Sequence, residues 1–203
     1  MVKIFYTHFT SPLSIEQWQI YFCQLPKNIQ QKISNFRRWQ DQHAALFSKL
    51  LLKHALRQAG YNSDCLNQLK YELYNRPFID NKIDFNISHA GEYVVCAISD
   101  QGRLGIDIEL IKAINISDFN QYMETKPLSY KEFYEIWTIK EAVIKADGRG
   151  LSIPLLDIKL DINKAYLYDK TWNISKIDIG INYVCHLVTS WQNNDINMEG
   201  IKF

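Results

Sequence analysis

Apolar positions change their period several times along the chain, and each change marks an element. Residues 2–6 read as an opening strand, while 15–25 and 26–38 carry helical spacing, with Pro26 suited to a first helical turn. In 41–58, Ala44, Ala45, Phe47, Leu51, Leu52, Ala55 and Leu56 form a broad apolar helix face, and Gly60 is a natural stop. Short β-rich runs follow at 69–74, 85–88 and 93–98, the last two joined as a hairpin across His89-Ala90-Gly91-Glu92. The first half is therefore expected to be helices followed by a small antiparallel sheet.

The turn Ser99-Asp100-Gln101-Gly102 restarts the pattern. A strand is expected at 104–110, then a polar connection over 112–127. A second helix is opened by Ser129 and Glu132, an S-x-x-E capping box, and ended by Asp147-Gly148. Stretches 153–160, 165–168, 172–177 and 183–191 alternate like antiparallel strands. The fold class is α+β, two helix-and-sheet lobes packed together, with a boundary near residue 102 dividing the chain into 1–102 and 103–203.

Composition narrows the function classes. The 203 residues are 47% hydrophobic, 13% aromatic and 22% charged, which suits a folded globular chain. Basic residues number 23 and acidic ones 22, a balance that argues against a duplex-DNA binder. The N-terminal residues do not resemble a signal peptide and no window reaches the length of an apolar membrane span, so a cytoplasmic protein without membrane contact is expected. Cys23, Cys65, Cys96 and Cys185 are scattered without a C-x-x-C pair, and Cys96 and Cys185 lie in apolar runs, as reduced core cysteines do.

Three groups of residues carry candidate chemistry. In Gly105-Ile106-Asp107-Ile108-Glu109, strand alternation puts Asp107 and Glu109 on one face and Ile106 and Ile108 on the other. Paired carboxylates repel unless a cation lies between them, and their hard oxygens suit Mg²⁺; a solvated strand face would look the same. In the second helix Trp137, Glu141 and Lys145 fall four apart on one line, as an active-site face or an ordinary surface pair would. In Phe85-Asn86-Ile87-Ser88-His89, Ser88 and His89 can hydrogen-bond a phosphate or merely begin a turn, and Arg76-Pro77 adds a cation just upstream.

The ordered set Asn75-Arg76-Pro77, Phe85-Asn86-Ile87-Ser88-His89, Gly105-Ile106-Asp107-Ile108-Glu109, Trp137 with Lys140-Glu141 and Lys145, then Gly148-Arg149-Gly150-Leu151-Ser152 and Pro154 resembles the Sfp-type 4′-phosphopantetheinyl transferases. The resemblance spans roughly residues 26–155. It implies two similar α/β lobes in pseudo-twofold relation with coenzyme A between them, working as a monomer. It also implies transfer of phosphopantetheine from coenzyme A to a serine of an acyl or peptidyl carrier protein, leaving adenosine 3′,5′-bisphosphate. By the same resemblance Asp107, Glu109 and Glu141 hold Mg²⁺, and Lys145 neutralises the transferring phosphate. Lys32, Arg76, Ser88 and His89 bind coenzyme A, and Glu141, or else Glu124 of the connection, is the general base. Carrier proteins are usually acidic, so a basic docking surface is expected.

The chain departs from the family pattern in its first half. Ile29 and Ala44 stand where basic residues are frequent, and Lys49 stands where Arg is common. A non-catalytic module that binds coenzyme A or a carrier protein is the alternative these departures suggest.

Overall fold

A computed structural model describes residues 1–192 and 195–203. β1 (Val2–His8) leads into three helices, α1 (Ile15–Phe22), α2 (Lys27–Ser34) and α3 (Trp39–Gln58). Ser14 caps α1 by accepting from the Gln17 amide while the Gln17 side chain accepts from the Ser14 amide. The two-residue strands β2 (Lys70–Tyr71) and β3 (Pro77–Phe78) pair with each other, so only a fragment of the strand expected at 69–74 forms. β4 (Asp84–Ala90) and β5 (Tyr93–Ser99) make the expected hairpin, with Gly91 at φ +55° in its turn.

The second half opens with β6 (Leu104–Leu110), followed by a 3-10 helix at Ile116–Tyr122 and α4 (Tyr130–Asp147). Ser129 accepts from the Glu132 amide as the capping pattern predicts, but the Glu132 carboxylate turns to the Leu128 amide. Gly148 closes α4 in the left-handed region at φ +95°. Of the strand expected at 153–160 only 158–160 is extended, as the start of β7 (Ile158–Asp161), and Leu155–Asp157 is a 3-10 turn; β8 (Lys164–Leu167), β9 (Lys170–Ile177) and β10 (Tyr183–Thr189) complete the half.

Besides the β2–β3 pair, two larger sheets form, in the orders β11-β1-β5-β4 and β6-β10-β9-β8-β7, where β11 is Ile196–Gly200. β11 adds in parallel to β1, with Val2 opposite Ile196, so the end of the chain joins the sheet of the first half. The reason is edge protection, since β1 would otherwise present a free row of backbone groups. Local pattern hides this, because Ile196-Asn197-Met198-Glu199-Gly200 is mostly exposed and shows little apolar alternation.

Each sheet has one face on the helices of its own half. Phe5, Val94, Cys96 and Ile98 pack on Phe47, Leu51 and Ala55 in the first half, and Ile158, Leu167, Trp172 and Val188 pack with Ala142, Val143 and Ala146 in the second. The remaining faces meet each other, with Val2, Ile4, Val95 and Ala97 against Leu104, Ile106, Ile108, Cys185 and Leu187. The alternation of β6 is thus used in full: its isoleucines join the lobes, and Asp107 and Glu109 are free to face α4. Cys65, Cys96 and Cys185 are buried thiols and Cys23 is exposed. Among the described residues no helix is long and apolar enough to cross a membrane.

Candidate active site

Close approach of α4 to β6 builds the site. A β-carbon placed on Gly105 would lie 2.0 Å from the Ala142 carbonyl oxygen and 2.7 Å from the Ala146 nitrogen, so the small residues Gly105, Ala142 and Ala146 let the helix backbone touch the strand. Two residues along β6 and one turn along α4, this contact presents Asp107 to Lys145. The Lys145 ammonium donates to Asp107 Oδ1 at 2.6 Å and to Ser88 Oγ at 2.8 Å, and the Ser88 hydroxyl donates to the same Asp107 oxygen at 2.8 Å. Asp107 and Ser88 are buried, and Lys145 keeps about a quarter of its side chain in solvent at 28%.

Ser88 reaches the cluster because β4 and β6 run beside each other at the edges of their sheets without a backbone ladder. The amides of β6 that face β4 donate instead to side chains at every second residue of β4. Leu104 donates to Asp84 Oδ2 at 2.8 Å, Ile106 to Asn86 Oδ1 at 3.0 Å and Ile108 to Ser88 Oγ at 3.4 Å. Strand period two makes this comb possible, since residues 84, 86 and 88 project from one face. Asp84 and Asn86 were not among the candidate residues; the polar alternation of Asp84, Asn86 and Ser88 was the available signal.

Glu109 and Glu141 are half-buried beside the cluster. Burial, then Asp107, then Glu141 push the Glu109 carboxyl up to about 7, against an opposing pull from Lys145. Burial and Asp107 likewise raise Glu141. Glu109 and Glu141, both raised by burial and by Asp107 in a partly desolvated crevice, need a cation. Lys145 supplies one, and it leaves Asp107 Oδ2 buried without a hydrogen-bond partner. That orphaned oxygen, with the two strained carboxylates, fits a hard divalent ion chemically, although among the described residues no three acids, histidines or cysteines are already gathered into a metal cage.

The other predicted residues divide. His89 reaches solvent but is walled in on the protein side, and desolvation together with the Lys145 charge lowers its imidazole pKa. It lines a crevice of about 650 Å³ with Arg38, Asp41, Lys112 and Tyr183. On the other side of the cluster a pocket of about 240 Å³ is lined by Tyr74, Asn75, Arg76, Asn86, Glu141 and Lys145. Arg76 is 5% exposed, and its guanidinium is held by protein partners. Lys32 is exposed on α2, 5.4 Å from the Tyr71 ring centre, and its charge contributes to lowering Lys49, where burial is the main cause. No hydrogen bond or ion pair among the described residues joins Lys32 to the acids. Glu124 is also apart, in an exposed ion pair with Lys159.

Lys140, beside Glu141, is 2% exposed and donates to the Leu155 carbonyl at 2.7 Å and the Tyr122 carbonyl at 3.4 Å. Trp137 packs on Phe119 and Phe133. Both residues hold the connection between β6 and α4 against α4. The face of Trp137, Glu141 and Lys145 is therefore covered by the connecting segment at its start and open to the pocket at Glu141 and Lys145.

Comparison with known proteins identifies the family. Residues 11–101 match the family described as 4′-phosphopantetheinyl transferase, N-terminal, and residues 103–192 match the 4′-phosphopantetheinyl transferase superfamily. The chain is 30% identical over 175 residues to the 4′-phosphopantetheinyl transferase gsp of Aneurinibacillus migulanus, covering 81% of this chain and 73% of that protein. It is 30% identical over 166 residues to the 4′-phosphopantetheinyl transferase Sfp of Bacillus subtilis, covering 76% and 74%. A putative 4′-phosphopantetheinyl transferase of Haemophilus influenzae is 30% identical over 163 residues, covering 73% and 68%. The two matched segments meet between β5 and β6, where one sheet ends and the other begins, and the chain belongs to the 4′-phosphopantetheinyl transferases of the Sfp type, an enzyme family.

Proposed function

We propose that this enzyme moves 4′-phosphopantetheine from coenzyme A to a serine hydroxyl of an acyl or peptidyl carrier protein in a Mg²⁺-dependent reaction, as a cytoplasmic monomer. The observation that carries the reading is the Ser88–Asp107–Lys145 cluster flanked by Glu109 and Glu141 between two crevices.

The carrier hydroxyl attacks the pyrophosphate phosphorus that bears the pantetheine. The bond from that phosphorus to the bridging oxygen breaks, and adenosine 3′,5′-bisphosphate leaves. Glu141 takes the hydroxyl proton; its raised pKa brings it closer to the working pH of a general base. Lys145 carries a fixed positive charge at the cluster and stabilises negative charge as it builds on the transferring phosphoryl group. Bound Mg²⁺ would supply further neutralisation of the pyrophosphate, with Asp107, Glu109 and Glu141 as its ligands. Ser88 and His89 are assigned to the phosphates of coenzyme A and Lys32 to its nucleotide end, and Arg76 borders the pocket lined by Glu141 and Lys145.

The test is incubation of the purified protein with coenzyme A, Mg²⁺ and apo carrier proteins from its own organism, read by intact mass. Gain of one phosphopantetheine on a carrier serine, lost on chelation of the metal, is the expected result. No gain on any carrier would refute transferase activity, and gain that survives chelation would refute the metal assignment.

A further inference from the structure

We infer that Arg76 is a positioning residue for Lys145 and β6, and does not act as a phosphate ligand. Five N–H groups are available on a guanidinium, and four are spent inside the protein. Nη1 and Nη2 donate to the two oxygens of Asp84 at 2.7 and 2.8 Å, a bidentate pair. Nε donates to the backbone carbonyl of Lys145 at 2.8 Å, and Nη2 donates also to the carbonyl of Leu104 at 2.8 Å.

These bonds join three elements. Arg76 sits before β3, Asp84 begins β4, Leu104 begins β6 and Lys145 lies in the last turn of α4. Asp84 in turn accepts from the Leu104 amide, so Arg76 closes a ring in which both backbone groups of Leu104 are bound by the first lobe. The carbonyl at the far side of the clamp belongs to Lys145, whose ammonium holds Asp107. Packing locks the arm as well: a β-carbon on Gly148 would come 3.0 Å from Arg76 Cδ, so the glycine that ends α4 also makes room for the clamp.

Recruiting this guanidinium to a phosphate would strip Asp84, whose side chain is 12% exposed, of its bidentate partner. Lysine cannot take over the clamp, because an ammonium has no planar fork to span a carboxylate and two carbonyls. A phosphate ligand, by contrast, tolerates Lys, which keeps the charge.

The inference rests on the transferase reading for its kinetic arm only. Arg76→Lys and Asp84→Asn are compared with the wild type for turnover, for coenzyme A affinity by calorimetry, and for amide hydrogen exchange at Leu104. The clamp predicts that each variant loses about tenfold or more in kcat while coenzyme A affinity stays within about twofold, and that Leu104 exchanges at least about tenfold faster. Asp84→Asn is decisive if Arg76→Lys does not fold, since Asn keeps an acceptor for the Leu104 amide yet removes the charge that holds the guanidinium. Weakened coenzyme A binding with kcat retained in Arg76→Lys, or Leu104 exchange unchanged in Asp84→Asn, would overturn the inference. A wild type without transferase activity would refute the proposed function and leave the exchange experiment as the test of the clamp.

Discussion

Gly105 and Ala142 are in such close register that a β-carbon on Gly105 would lie 2.0 Å from the Ala142 carbonyl oxygen. Backbone cannot yield there as a flexible side chain would. Gly105→Ala should therefore push α4 off β6, costing about 1–3 kcal/mol as overpacking does, or more because the clash is with main chain. Separation of Lys145 from Asp107 should accompany it, so turnover falls more than the loss of folded protein explains. Urea unfolding alongside kcat measures both, and a variant as stable and active as the wild type would contradict the close-approach account.

Glu141 and Glu124 compete for the role of base, and their surroundings differ. Glu141 shares the crevice with Asp107 and Lys145, whereas Glu124 is paired with Lys159 on the surface. Glu141→Gln should lower kcat by about 10²-fold or more. Glu124→Gln should change it by less than about twofold, since exposed ion pairs carry little energy. Steady-state kinetics on the two variants checks this, and the reverse ranking would move the base to the connection.

Lys145 pairs directly with Asp107 and acts on Glu109 and Glu141. Replacing it with Met leaves the Asp107 carboxylate, among the described residues, with the Ser88 hydroxyl alone and removes the larger of the two charges, Lys145 and Lys112, that oppose the raised Glu109 pKa. The Glu109 carboxyl should then titrate above the value of about 7 it has beside Lys145. Transfer should fall by about 10²-fold or more, as when a transition-state donor is lost. Carboxyl titration followed by carbon NMR in the metal-free protein, with kinetics in Mg²⁺, reads both effects.

Buried His186 sets an acid limit on stability. Its Nδ1 hydrogen-bonds to the Thr138 hydroxyl at 2.7 Å, and burial lowers its pKa from 6.5 to about 4. The folded-state pKa is depressed, so the unfolded chain binds the extra proton first as pH falls. Stability is complete above about pH 6.5 and declines between there and about pH 4, by on the order of 3 kcal/mol for this group. His186→Asn should flatten that part of the pH profile relative to the wild type. Urea unfolding at a series of pH values measures the difference, and parallel profiles would show that His186 does not titrate this way.

Reading apolar spacing was enough to place α3 and α4, the hairpin of β4 and β5, and the strand carrying Asp107 and Glu109. These elements are specified locally: long apolar helix faces, a capping serine, a terminal glycine and strand alternation act within a few residues. The strands around β2 and β7 were overestimated, because short apolar runs fit turns as well as strands. Lys145 beside Asp107 was anticipated only as a shared neighbourhood.

Sequence alone determined the two helix-and-sheet halves, the family motifs in order, and the acids and lysine that carry chemistry. Tertiary structure decided what those residues touch. Arg76 reads as a free cation near a turn, but it is bound to the carbonyl of Lys145, 69 positions away, and Ser88 meets Asp107 across 19. The last strand likewise crosses back to pair with the first. Periodicity tells which face of an element is apolar, since that depends on the backbone geometry of a few residues. Which charged group lies opposite depends on how two separately formed sheets settle against each other, and here that is set by the packing of Ile106 and Ile108 between the lobes and by the missing side chain of Gly105.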